Sequence, residues 1–155
     1  MPSPYSAAFL VAVQRTVTVE RLTRYLNAVG ADFSKALELS PDYAYAYDQI
    51  ANTQFSQGDL DAAIENLGKA IALNPKDVKA YMNRGAVKLR QGDLDGALAD
   101  EDRAIQLNPG EVLAYMNRSA IKKRLGDAAG SSRDYARALK LNPQADKLAQ
   151  ESSRP

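Results

Sequence analysis

Four short stretches of this chain carry residue types that could do chemistry. Asp100-Glu101-Asp102 places three carboxyl groups side by side, the material of general acid–base work. Consecutive helical residues point about 100° apart, so these three cannot face one another as a catalytic pair. They read instead as a solvated face, with Asp100 kept for a pairing given below. Gly68-Lys69 has the Gly-Lys step of a phosphate loop but neither the earlier glycine nor the following Ser or Thr. Asn117-Arg118-Ser119 matches a glycosylation pattern but falls within a helical stretch, which discounts it. Lys122-Lys123-Arg124 could meet nucleic-acid phosphates, yet three basic residues make a small patch and the sequence pI of 7.9 is low for a dedicated binder.

The chain has no cysteine and no histidine. That removes disulfides, thiol nucleophiles, thiolate or imidazole zinc sites, and a histidine base for serine or cysteine chemistry. A non-enzymatic chain with no cofactor, no metal and no small-molecule substrate is expected.

What positions these residues is an internal repeat. Leu39-Ser40-Pro41, Leu73-Asn74-Pro75, Leu107-Asn108-Pro109 and Leu141-Asn142-Pro143 recur in steps of 34. Gly58-Asp59, Gly92-Asp93 and Gly126-Asp127 each begin midway between two successive prolines of that series, so every unit has two halves. Within a half, apolar and small residues recur at spacings of three and four, as in Leu60, Ala63, Ile64, Leu67, Ala70 and Ile71, which marks an amphipathic helix. The glycine suits a left-handed stop for the first helix, helix A. The aspartate after it can cap the second, helix B. Asn-Pro then ends helix B, since proline lacks the N–H a continuing helix needs.

One such hairpin cannot bury its apolar face alone, so the units must stack into a solenoid. The boundaries read as 1–43 for a degenerate N-terminal repeat or cap, 44–77, 78–111 and 112–145 for three repeats, and 146–155 for a short C-terminal cap or tail. The β-branched run at Val11, Val13, Thr16, Val17, Thr18 and Val19 is poor for an isolated helix, so the first helix A is expected to be distorted.

The 155 residues suit one domain or a short array, and a charged fraction of 25% is that of an ordinary soluble protein. The longest apolar run, Ala7 to Val13, is too short to cross a bilayer. No Lys or Arg precedes it, and Gln14 and Arg15 follow it, against a secretion signal. A cytoplasmic location is expected, with secretion left open.

With these marks in fixed phase, the chain resembles the tetratricopeptide repeat family over residues 44 to 143. The family's aromatic, small, small, small and proline positions fall on Tyr47, Ala51, Ala63, Ala70 and Pro75 in the first unit. They fall on Tyr81, Gly85, Ala97, Ala104 and Pro109 in the second, and on Tyr115, Ser119, Ser131, Ala138 and Pro143 in the third. The resemblance implies an all-α, right-handed helical-hairpin solenoid of 34-residue repeats, with the three tyrosines as packing residues. It also implies binding to another protein rather than catalysis.

Arg84 and Arg118 stand where the family commonly has leucine. Sixteen residues on, each unit with the arginine carries an acid, Asp100 or Asp134, while the first unit has Ile50 and Asn66. A lone buried charge is costly, so salt bridges Arg84–Asp100 and Arg118–Asp134 between helices A and B are expected.

In arrays resembling this one, helix A lines a concave groove. The peptide-contacting candidates carried onto this chain are Tyr45, Asn52, Lys79, Met82, Asn83, Arg90, Met116, Asn117, Lys123 and Arg124. Helix A of units two and three is basic without an acid, so a positive groove is expected although the net charge is +1. Such a groove attracts an extended, acidic segment of a partner protein. Asparagine amides both donate to and accept from backbone, and methionines give adaptable apolar contact. The clamp that holds chaperone C-termini is not reproduced: where it has Lys, Asn, Asn, Lys and Arg, this chain has Asp48, Asn52, Asn83, Leu113 and Asn117. The alternatives are self-assembly as a homo-oligomer through the array ends and, ranked below it, nucleic-acid binding.

Overall fold

The computed structural model describes residues 21, 24–25, 27–40 and 42–145. Among them are seven helices and no strand: α1 over residues 27–39, α2 (Ala44–Gln57), α3 (Leu60–Leu73), α4 (Val78–Gln91), α5 (Leu94–Leu107), α6 (Val112–Arg124) and α7 (Ala128–Leu141). Pro41, the β-branched run before residue 20 and the C-terminal stretch 146–155 lie outside the described residues.

The turns follow from local chemistry. Gly58, Gly92 and Gly126 have φ of 86°, 94° and 86°, a left-handed conformation open to glycine at no steric cost. There the chain reverses, and the N–H of Asp59, Asp93 and Asp127 donates back to the carbonyl of Gln54, Lys88 and Lys122, each at 2.9 Å. Each aspartate then caps the next helix by accepting from the N–H of Ala62, Gly96 or Gly130 at 3.3, 2.9 and 2.8 Å. At the far end of each hairpin, Asn74, Asn108 and Asn142 leave helical geometry. Their side-chain oxygens accept from the N–H of Lys76, Gly110 and Gln144, forming Asx turns.

α2 packs along α3, α4 along α5 and α6 along α7, and successive hairpins join through α3–α4 and α5–α6. α2 also touches α4, and α4 touches α6, so the three A helices share one face. Close approach rests on small residues: Ala51, Ala63, Ala80, Ala97, Ala104, Ala114 and Ala138 are all fully buried. Leu67 is the largest aliphatic side chain of the first core cluster, with Val87 from the next hairpin against it. Its full burial contributes about 1.5–3 kcal/mol. Tyr115 is buried, while Tyr47 and Tyr81 are partly buried. Among the described residues, no helix is long and apolar enough to cross a membrane.

Candidate functional site

The face shared by α2, α4 and α6 is built on charged pairs beneath it. Arg84 donates from Nε and Nη2 to Asp100 Oδ2 and Oδ1 at 2.9 and 2.6 Å, a fork that fixes the angle between α4 and α5. Lys88, one turn later on α4, reaches the same carboxylate at 2.8 Å. The third hairpin repeats this arrangement, with Arg118 on Asp134 at 2.8 and 2.6 Å and Lys122 at 2.8 Å. Arg118 also donates through Nη1 to Asp102 at 2.7 Å, which ties α6 back to α5. The first hairpin holds a neutral version: Ile50 replaces the arginine, and Asn66 donates to Gln54 at 2.9 Å. The lysines were missed in the sequence. Their signal was there, because each stands four residues after its arginine and gives way to Gln54 where the arginine gives way to Ile50.

These pairs set the local electrostatics. The Asp100 hydrogen bond raises the Arg84 pKa, and the Asp134 hydrogen bond does the same for Arg118. For Asp134, burial pushes the pKa up, but hydrogen bonds from Arg118 and Lys122 together outweigh it and hold the carboxyl low.

The acidic triplet differs from its expected solvated face. Asp100 is 3% exposed and Glu101 1%, with only Asp102 partly exposed. Glu101 points into the α4–α5–α6 junction, where Asn117 donates to its Oε1 at 3.0 Å and its Oε2 has no partner. Gly85 makes the room, since a Cβ there would sit 3.1 Å from Glu101 Oε1. Burial pushes the Glu101 carboxyl up to about 8.

The groove candidates divide by what they touch. Asn83 donates to Asp48 across the α2–α4 contact at 2.8 Å, and Asn52 donates to the same carboxylate at 3.2 Å. Arg90 donates to the carbonyl of Phe55 at 3.0 Å and lies over that ring, 5.0 Å from its centroid. Arg124 donates to the carbonyl of Leu89 at 3.3 Å. Both arginines thus sit on the C-terminal turn of the preceding A helix, where its dipole favours a cation. Much of the positive charge counted along α4 and α6 is therefore engaged internally, so the face is less basic than a residue count suggests. Lys79 and Lys123 are exposed, and Met82 and Met116 are partly buried. Tyr45 is 54% exposed, at the edge of a cavity of about 600 Å³ between the starts of α2 and α4.

Residues 51–92 match the family model for the TPR repeat, and the same phase recurs in the unit that follows. The chain carries tetratricopeptide repeats. A structure of MamA is similar, with a TM-score of 0.73 and 25% identity over 94% of this chain and 83% of that one. So is the first TPR of Spaghetti (RPAP3), solved bound to the HSP90 peptide SRMEEVD, with a TM-score of 0.63 and 26% identity over 72% of this chain and 94% of that one. The Arabidopsis OM64 TPR domain, at 24% identity and a TM-score of 0.64 over 70% of this chain and 92% of that one, bears on the fold alone. No curated protein is similar enough to count as a relative. TPR solenoids are in general non-enzymatic interaction modules, and this fold is consistent with protein–protein interaction.

Proposed function

We propose that this TPR chain is a protein-interaction module whose α2–α4–α6 face takes an extended peptide, with acidic residues of that peptide toward α6. One observation carries the reading. α6 has no acid of its own and ends in Lys122, Lys123 and Arg124, with Lys123 exposed about two helical turns after Met116. Asn83 spends one N–H on the Asp48 carboxylate and Asn117 one on the neutral Glu101 carboxyl, which holds each amide in one orientation. Each keeps its carbonyl and a second N–H for a peptide backbone, and a group held in advance loses less entropy on binding. The RPAP3 domain with its SRMEEVD peptide is a similar chain that accepts an acid-rich segment. This chain has Asp48 and Leu113 where a carboxylate clamp has lysines, so a different acidic segment is the expected ligand.

Fluorescence anisotropy with a labelled Glu/Asp-rich peptide tests this. Lys123→Glu is expected to weaken binding about tenfold, and Asn117→Ala about threefold to tenfold. Binding should also fall as salt rises from about 50 to about 200 mM, an effect of about severalfold. Wild-type affinity in both variants would overturn the reading. Self-association is the second reading. It is favoured by Tyr135, 39% exposed on α7 at the place in its hairpin where Leu67 and Glu101 are buried. A mass that rises with concentration and ignores Lys123→Glu would select it.

A further inference from the structure

The shared face is electrically uneven from one end to the other. α2 carries Asp48 as its single charged residue, whereas α4 and α6 each carry four basic residues and no acid. No Lys or Arg occurs from Ala36 to Gly68, while Glu38, Asp42, Asp48, Asp59, Asp61 and Glu65 fall within that span. At the α2 end lies the cavity of about 600 Å³, walled by Tyr43, Tyr45, Asp48, Asn74, Asp77 and Lys79.

Its aromatic wall is open. Tyr43 is 44% exposed and Tyr45 54%, their ring centroids are 5.9 Å apart, and Phe33 packs against Tyr45 with the two rings steeply inclined, at 76°. Elsewhere on these helices an aromatic ring is covered by a cation of the chain itself: Lys69 over Tyr47, Arg84 over Tyr81, Arg90 over Phe55 and Arg118 over Tyr115. Two carboxylates face the same space. Asp48 is held by Asn52 and Asn83, while Asp77 caps α4 through Oδ1 alone, so its second oxygen remains to accept.

We infer that this cavity is a subsite for an arginine side chain of the bound peptide, so that the face reads charge polarity: arginine over Tyr43 and Tyr45 at the α2 end, acid beside Lys123 at the α6 end. A guanidinium is planar and weakly hydrated, stacks on an aromatic face, and donates in the plane of that stack to carboxylates at its edge. A Glu or Asp side chain would meet Asp48 and Asp77 as like charges, with Lys79 alone to offset them. Lys79 opposes an arginine ligand, so its removal discriminates between the two occupants. The inference rests on the peptide-binding reading above and adds the direction in which the peptide lies.

The test uses the full chain and labelled peptides of about twelve residues, about 40 Å when extended. One has Arg near its first residue and a Glu-Glu pair near its last, a second has Ala for that Arg, a third has Glu for it, and a fourth is the first in reverse order. The arginine peptide is expected to bind about threefold to tenfold tighter than the alanine peptide and more than about tenfold tighter than the glutamate and reversed peptides. Tyr45→Ala should erase the arginine advantage, so that the arginine and alanine peptides bind that variant alike. Lys79→Glu should enlarge that advantage. Equal binding of the arginine and alanine peptides, or tighter binding of the glutamate peptide that Lys79→Glu abolishes, overturns the arginine subsite and leaves the acidic-peptide face standing. Failure of all four peptides to bind overturns both.

Discussion

Glu101 occupies the place in its hairpin that Leu67 holds one repeat earlier and Tyr135 holds one repeat later. Its burial raises the carboxyl to about 8, and neighbouring Asp100 and Asp102 add to the rise, against the Asn117 hydrogen bond and the Arg118 charge. The folded chain therefore keeps this proton up to about pH 8, whereas the unfolded chain releases it near about pH 4.3. Between those values the folded state binds more protons, so stability falls as pH rises through the window, by on the order of a few kcal/mol. Asp134 works in the opposite sense at lower pH. Its carboxyl is held low, and the stability it contributes is lost as pH falls below about 4 through its folded pKa. Urea unfolding at pH 5.5 and 8.5 should show wild type losing stability across the interval and Glu101→Gln losing much less, since the amide cannot ionise. Equal losses would sink this account. The buried acid was hidden in the sequence because a run of three acids reads as a wet helix face. The repeat register was the better guide, since it places Glu101 where Leu67 is core.

At the scale of elements, what was legible was whatever depended on neighbouring letters. The Gly-Asp and Asn-Pro turns stop and start helices through backbone conformation and caps within a few residues, so their spacing alone marked out α2 to α7. Gly92 illustrates the strength of this local chemistry, since its φ of 94° lies where a side chain is strained. Gly92→Ala should cost about 1–2 kcal/mol, and Asp93→Ala, which removes the cap on Gly96, about 1 kcal/mol. Both read as lower urea midpoints with an unchanged slope; a neutral Gly92→Ala would mean that the turn relaxes to another conformation. Contacts between hairpins were less legible. The Arg84–Asp100 pair left a trace because arginine and acid appear and disappear together. Arg90 and Arg124 left none, because their partners are main-chain carbonyls in the preceding hairpin and any residue type supplies those. For that reason two cations assigned to a ligand are found joining hairpins.

For the molecule as a whole, an array in which each hairpin touches only its neighbours has a stability close to the sum of its units and interfaces. Both interfaces joining the hairpins carry polar links, Asn83–Asp48 and Arg90–Phe55 across the first, but they differ at the centre. Between the first and second, Leu67 and Val87 share an apolar cluster with Ala51 and Ala63. Between the second and third, Asn117–Glu101, Arg118–Asp102 and Arg124–Leu89 supply polar links around a carboxyl that stays neutral to about pH 8. Raising the pH ionises Glu101 beside Asp100 and Asp102 with one buried oxygen unpartnered, which weakens the second interface and leaves the first untouched. The third hairpin should then separate energetically from the rest before the array unfolds. Hydrogen exchange at pH 6 and pH 9, corrected for the intrinsic rate, reads this directly because local opening free energies are resolved along the chain. Protection in α6 and α7 is expected to fall relative to α3 at the higher pH in wild type and to hold in Glu101→Gln. A uniform fall across α3, α5 and α7 would show the array opening as a single unit, with Glu101 acting on all of it alike. The α6 end of the shared face would lose its footing in the first case alone, so acidic-peptide affinity should decline above about pH 8 in wild type and persist in Glu101→Gln.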